Sequence, residues 1–305
     1  MRFLENKEKS TFSWTVGPLA PVTLRTFLKN KGISKRLLAK IKFQGGEIRV
    51  NGRWVTVLEK LNEADVVEVD LPIEKDNTLL VPSHKEIVVL FEDERYLVVN
   101  KPAGVAAVPS ATHKTDTMAN RIKGYLLTEA KKTVAVHVVT RLDRDTSGAM
   151  LFAKHPFAHA QLDKQLRKKE VDRQYIAIAE GAVPGEVHAF INQPIARSED
   201  SIITRRVHAS GKEALTEYWI VKRTKEHTLM EVKLHTGRTH QIRVHFASVG
   251  YPLVGDDLYG GTMKERMQRQ ALHCKAVRFQ HPFKEAFLHI EAPLPLDLAE
   301  YVKTF

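Results

Sequence analysis

The sequence predicts an α+β protein: a small module of two helices and short strands, then a larger domain on a mainly antiparallel, mixed sheet with flanking helices. Three observations predict it. Two amphipathic helical stretches stand back to back before residue 45, with short β-branched runs behind them. A polar segment containing Pro82 and preceded by Pro72 sets that module apart. Beyond residue 87, strand-like apolar runs outnumber helical ones and are joined by tight turns. At 305 residues the chain is long enough for more than one domain.

Residues 1–20 show no clear hydrophobic period and read as an N-terminal arm or lead-in strand. The module spans residues 21–72. Its first helix covers 23–32, with Leu24, Phe27 and Leu28 at apolar spacing, Thr23 placed to cap it and Gly32 to end it. The second runs from the cap candidate Ser34 to Lys42 and stops at Gly45-Gly46. Short strands follow over 47–50, turning at Asn51-Gly52, and over 65–70. Residues 73–86 read as a linker.

The larger domain, residues 87–305, opens with a hairpin, strand 87–91 returning through the turn 92–95 into 96–104. A helix over 115–129 follows, then strand 134–139, a charged turn over 140–148, and a second apolar run over 149–153. Residues 157–168 read as helix, and 171–181 as a strand with Tyr175 inside it. Strands over 215–223 and 228–235 come next. A helix opening near Thr239 would put His240 and Arg243 on one face, with Ile242 and Phe246 on another. The loop 250–260 is punctuated by glycine and carries Asp256 and Asp257.

The composition, 43% hydrophobic and 27% charged, is that of a soluble globular chain. No apolar run approaches the roughly 18 residues of a membrane span. The polar N-terminus does not read as a signal peptide, so a cytoplasmic location with no membrane partner is expected. A single cysteine, Cys274, excludes an intrachain disulfide and a thiolate metal cluster. The formal charge of +11 points to a polyanionic partner, nucleic acid above all. Lys35, Arg36 and Lys40 form a basic face on the second helix, suited to phosphate at a helix start.

The charged turn holds two carboxylates and two guanidiniums, Arg141, Asp143, Arg144 and Asp145, more than a hairpin connection requires. Guanidiniums beside a carboxylate favour its charged form and also bind phosphate oxygens. Asp145 is expected to cap the turn, and Thr146, Ser147 and Gly148 to shape it. His235, His240 and His245 stand five apart, which does not align imidazoles on one helical face, so no metal site is expected. There is neither a phosphate-binding glycine loop with its lysine nor a serine elbow around Ser147.

In this order and at this spacing, residues 141–148, Arg173-Gln174-Tyr175-Ile176-Ala177 and residues 237–245 resemble the RluA-type pseudouridine synthases. Residues 98–104 fit the same family's opening motif, and the likeness covers about 87–305. Residues 21–72 resemble the S4 RNA-binding domain. The chain departs from the family pattern at Thr140 and Val108, where histidine is common. The resemblance implies a sheet with a central cleft and an isomerase converting uridine in RNA to pseudouridine, with no cofactor, metal or donor. It implies Asp143 as the active carboxylate and Arg243 as its basic partner. Tyr175 would stack on the base and is a candidate to take the C5 proton. Attack at C6, attack at C1′ and removal of a 2′ proton are each open to Asp143. Arg141 would fill the stack left by an extruded base, with Arg144, Arg238 and His240 as further RNA contacts. The expected partner is ribosomal or transfer RNA, with the S4-like module favouring the large-subunit ribosomal kind, and the expected state is a monomer. Two rivals stand beside it: a hydrolase pairing Asp143 with Asp256 or Asp257, and a non-catalytic RNA-binding protein.

Overall fold

A computed structural model describes residues 10–18, 22–128 and 135–304. Outside them lie residues 1–9, 19 and 20 of the expected arm and residue 21, the first of the expected module. Glu129, the last residue of the expected helix 115–129, and Val134, the first of the expected strand 134–139, also lie outside.

The first layer contains β1 (Thr11–Thr15), β2 (Val22–Thr23), α1 (Leu24–Asn30), α2 (Lys35–Phe43) and β3 (Glu47–Val50). It is completed by β4 (Arg53–Trp54), β5 (Lys60–Leu61) and β6 (Val66–Asp70). Both helix starts form as the sequence indicates: the Thr23 hydroxyl accepts the Thr26 N–H at 3.4 Å, and Ser34 accepts that of Leu37 at 3.1 Å. Leu24, Phe27, Leu28, Leu37 and Ile41 turn inward against Ile48, Val50, Val67 and Val69 of the sheet β1-β6-β3-β4. Of the expected arm or lead-in strand, residues 11–15 take the strand form and belong to the module rather than preceding it. They alternate polar and aromatic side chains and pair along β6 from Thr11↔Asp70 to Thr15↔Val66, as an edge strand.

That edge strand also docks the module on the rest of the chain. Phe12 meets Phe157, Phe283 and His155 at ring separations of 4.9, 5.2 and 5.1 Å. Arg95 lies over its ring at 4.1 Å and donates to the Thr11 carbonyl. Aromatic pairs contribute about 0.5–1.5 kcal/mol each beyond burial, so the module is seated rather than tethered. Residues 73–86, expected as a linker, contain no helix or strand and are stitched down. Asn120 and Lys123 donate to the carbonyls of Val81 and Asn77, and Ser83 and Lys85 both reach Asp116.

The second layer runs β7 (Val88–Glu92), β8 (Tyr96–Lys101), α3 (Met118–Thr128), β9 (His137–Val138), β10 (Ser147–Ala153) and α4 (Pro156–Arg167). It continues with β11 (Asp172–Glu180), β12 (His188–Asn192), β13 (Ile195–Arg197), β14 (Arg205–Val207), β15 (Leu215–Arg223) and β16 (His227–Leu234). The last elements are α5 (Gln241–Ser248), β17 (Leu272–Gln280), β18 (Phe287–Glu291) and α6 (Leu296–Val302). Among the described residues, ten strands form one sheet in the order β12-β15-β16-β11-β17-β10-β8-β7, with β18 beside β17 and β9 beside β10. Its described neighbours are antiparallel except β10 and β17, which run parallel for two pairs, Ser147↔His273 and Gly148↔Cys274. The sheet's halves therefore meet where the charged turn enters β10. No helix among the described residues is long and apolar enough to cross a membrane.

Candidate active site

Residues 139–146 connect β9 to β10, and the fold holds this turn from below. Leu142 is buried and anchors it in the core. The Thr140 hydroxyl accepts the Leu151 N–H at 2.9 Å, tying the turn to β10. Lys101, fully buried at the end of β8, donates to the carbonyls of Arg144, Pro102 and Val105 at 2.7, 2.8 and 2.6 Å. Burial pushes its ammonium down to about 7, with Asp145 and Asp143 acting the other way. Arg269 donates to the Asp145 carbonyl at 3.0 Å, and Gln270 to the Thr146 hydroxyl at 3.2 Å. Gly148 sits at φ +113°, and a Cβ there would lie 2.2 Å from the Cys274 carbonyl oxygen, so only glycine fits.

From this turn Asp143 faces the cleft, a quarter exposed. Its Oδ2 lies 3.2 Å from Arg243 Nη1 and 3.9 Å from His240 Nε2. Arg243 is itself fixed from behind: Nε and Nη2 each donate at 2.7 Å to the two oxygens of Asp256, whose side chain is fully buried. The Tyr259 ring covers the guanidinium at 5.0 Å. Burial opposes the charge, but Asp256 and then Asp143 outweigh it and hold Arg243 above the ordinary arginine range. One guanidinium thus bridges a buried carboxylate that fixes it and a quarter-exposed one that it presents to the cleft.

That cleft, about 970 Å³, is lined by residues 139–144, Tyr175 and residues 234–243. A volume at the upper end of the usual ligand-pocket range admits a nucleotide. Tyr175 lies in its wall on β11, buried. Burial, with help from Cys274 and Asp143, raises its hydroxyl above the ordinary tyrosine value. A neutral phenol offers a flat ring and an O–H donor but is a poor proton acceptor.

His240 is not on the face of α5 as expected. It stands at the helix N-cap in the left-handed region, φ +57°, because the turn after Thr239 has not yet become helical. Its Nδ1 lies 2.8 Å from the Tyr259 hydroxyl, which accepts the Arg205 N–H at 2.9 Å. Burial lowers its pKa against the opposing pull of Asp143. Arg141 is exposed in the cleft wall, with no hydrogen bond or ion pair among the described residues. Arg144 also lines the cleft, but its fork grips Asp145 at 2.8–3.1 Å. Asp145 therefore does not cap the turn as expected; its carboxylate meets a neighbouring cation instead. Arg238 lines the cleft with Nε on the Glu213 carbonyl at 2.8 Å. Lys35, Arg36 and Lys40 lie on α2 of the N-terminal module, outside this cleft. Lys35 and Arg36 are exposed, and Lys40 is half-buried.

Lys101, Arg173 and Tyr259 are in the site without being expected there, and Asp256, expected as a candidate second catalytic acid, has another role. Both Asp256 oxygens are held by Arg243 and shielded from solvent, which removes it from acid catalysis. Arg173 reaches the cleft with its guanidinium over Gly237, where an added Cβ would stand 3.2 Å away. The available signals are a lysine ending an apolar strand, an arginine two residues before Tyr175, and glycine spacing around Asp256. The imidazoles of His235, His240 and His245 go to separate partners, Glu217, Tyr259 and Thr216. Among the described residues no three His, Cys, Asp or Glu side chains are grouped to hold a metal ion.

Residues 95–248 match the family model described as RNA pseudouridylate synthase. The chain is 41% identical over 282 residues to an uncharacterized RNA pseudouridine synthase, YjbO, of Bacillus subtilis, covering 92% of this chain and 99% of that protein. It is 35% identical over 272 residues to ribosomal large subunit pseudouridine synthase D of Xylella fastidiosa, covering 84% of this chain and 80% of the relative. Among solved structures, human RNA pseudouridylate synthase domain containing 4 superposes with a TM-score of 0.59 at 20% identity, covering 71% of this chain and 92% of that one. At that identity the superposition speaks for the fold alone.

Proposed function

The chain belongs to the RNA pseudouridylate synthase family, isomerases that act on RNA, and from that premise we propose its substrate and the roles of its residues. The substrate is a uridine in structured large-subunit ribosomal RNA. Relatives such as ribosomal large subunit pseudouridine synthase D, at 35% identity, support that choice over transfer RNA. The reaction breaks the C1′–N1 bond, turns the base and joins C5 to C1′, with the C5 proton leaving to solvent or to N1. Atoms balance without an outside donor.

Asp143 is the carboxylate that meets the flipped uridine. The observation that carries this is its position: presented to the cleft 3.2 Å from a guanidinium that a second, buried carboxylate locks in place. Preorganised charge of this kind needs no rearrangement when the substrate arrives. Arg243 orients Asp143, and Tyr175 supplies the ring on which the base stacks. Extruding a base costs a few kcal/mol; Arg141, exposed and unpaired among the described residues, fills the vacated stack. The N-terminal module, residues 21–72 together with the strand that precedes them, is an S4-like RNA-binding domain whose α2 face meets phosphates.

The test is Asp143→Asn. Pseudouridine formation on ribosomal RNA, mapped across the transcriptome of cells carrying each form, should vanish while RNA binding persists. Product formation that survives the change overturns the assignment of Asp143.

A further inference from the structure

We propose that the solvent-facing side of the sheet next to the cleft, carried by His188, Phe190, Trp219 and His235, is a stacking subsite for unpaired nucleotides flanking the target uridine. It extends the proposed function and rests on the cleft being the RNA site.

Strand register places these rings together. On the edge strand β12, His188 pairs with Trp219 of β15, and Phe190 pairs with Glu217. Alternation puts all four on one face. The opposite face is core: Ile191 and Tyr218 are buried, and Tyr218 meets Phe246 of α5 at 5.2 Å. On the open face the rings form an unbroken chain. His188 lies flat on Trp219, 4.9 Å apart at an interplanar angle of 4°. Phe190 is 5.0 Å from His188 and 6.4 Å from His235, and His235 lines the cleft. Phe190 is 54% exposed and the His188 side chain 45%.

Charge fits the same occupant. Three carboxylates on this face are matched: Glu217 is gripped by His188 and His235 at 2.9 and 2.7 Å, Glu231 by Lys275 at 2.7 Å, and Asp172 by Lys233 at 3.4 Å. None of the three stands as an unpaired anion against a phosphate chain. An exposed row of rings on a sheet, continuous with a cationic cleft, suits bases, which stack on aromatic and imidazole planes whatever their sequence.

The experiment measures binding of fluorescein-labelled oligouridylates of twelve and of four nucleotides by anisotropy at fixed salt. His188→Ala/Phe190→Ala should weaken the dodecamer about tenfold or more, because two stacking planes are lost, with an unchanged salt slope because no phosphate contact is lost. The tetramer, short enough to stay in the cleft, should bind as before. Phe190→Tyr keeps the ring and should keep the affinity, which separates stacking from any loss of fold. Arg141→Gln/Arg238→Gln is the comparison: it should weaken both oligomers and flatten the slope. Loss of binding in that variant with an unaffected dodecamer in His188→Ala/Phe190→Ala overturns the subsite alone. Unchanged binding of both oligomers in the arginine variant overturns the cleft itself. If the wild type sediments as a dimer and His188→Ala/Phe190→Ala as a monomer, the face is a protein interface, and the proposal is overturned.

Discussion

Asp256→Asn is the change that separates the carboxylate proposed to meet the uridine, Asp143, from the one that holds Arg243 in place. Asp256 is fully buried and takes two charge-assisted bonds of 2.7 Å from Arg243. Removing one charge of a buried pair costs about 3–5 kcal/mol. Asn keeps the shape and one acceptor, and Arg243 keeps Asp143 at 3.2 Å. The lower end therefore applies, about 3 kcal/mol. At roughly 2–4 °C per kcal/mol for a chain of this order of size, the melting temperature should fall by about 6–12 °C. Asp143→Asn breaks a single, longer bond at a quarter-exposed side chain and should cost about 1 kcal/mol. Thermal melts followed by circular dichroism should thus rank Asp256→Asn well below Asp143→Asn. Turnover should rank them the other way. Asp256→Asn should keep residual activity, reduced about tenfold to a hundredfold by a loosened Arg243, while Asp143→Asn has none. A melting temperature unmoved by Asp256→Asn would refute the view that this carboxylate fixes the guanidinium.

Two further outcomes are expected. His273 is buried neutral, lowered to about 4, and His155 to about 3, both by burial first. Their pKa values are depressed in the folded state, so the unfolded chain takes up protons first as pH falls. Stability present above about pH 6.5 is therefore lost between there and about pH 4 for His273 and about pH 3 for His155, by roughly 3 kcal/mol for His273 alone. His273→Asn should flatten the dependence of melting temperature on pH across that window; an equally steep curve counts against it. Replacing Lys35, Arg36 and Lys40 by glutamine should lower the slope of log affinity for RNA against log salt by about 2–3. An unchanged slope would return α2 to solvent.

Local physics makes much of the fold legible. The helix caps at Thr23 and Ser34, the β7–β8 hairpin, the strand carrying Tyr175 and the strand leading to His235 are written in short windows, where side-chain period and turn chemistry decide. What escapes is whatever depends on a distant partner. The residues of β1 alternate, but five residues without a neighbour give a weak period, and their place in the module's sheet comes only from β6. No expected strand covers β17, yet it sits mid-sheet and supplies the parallel pairing that seats the charged turn.

The site divides along the same line. The family resemblance of two motifs points to Asp143 and Arg243, a carboxylate and a guanidinium 100 residues apart. Which one is held and which does the holding cannot be read from types, because it is a matter of burial. Asp256 and Asp257 are adjacent and chemically alike, but one is sealed under Arg243 and the other is exposed. Sealing makes the difference physical. A carboxylate with both oxygens occupied and closed off from solvent can neither attack nor donate a proton, so its remaining effect is on the guanidinium it grips. One of the two candidates for a hydrolase's second acid is thereby converted into a clamp, and Asp143 is the carboxylate that this guanidinium presents to the cleft.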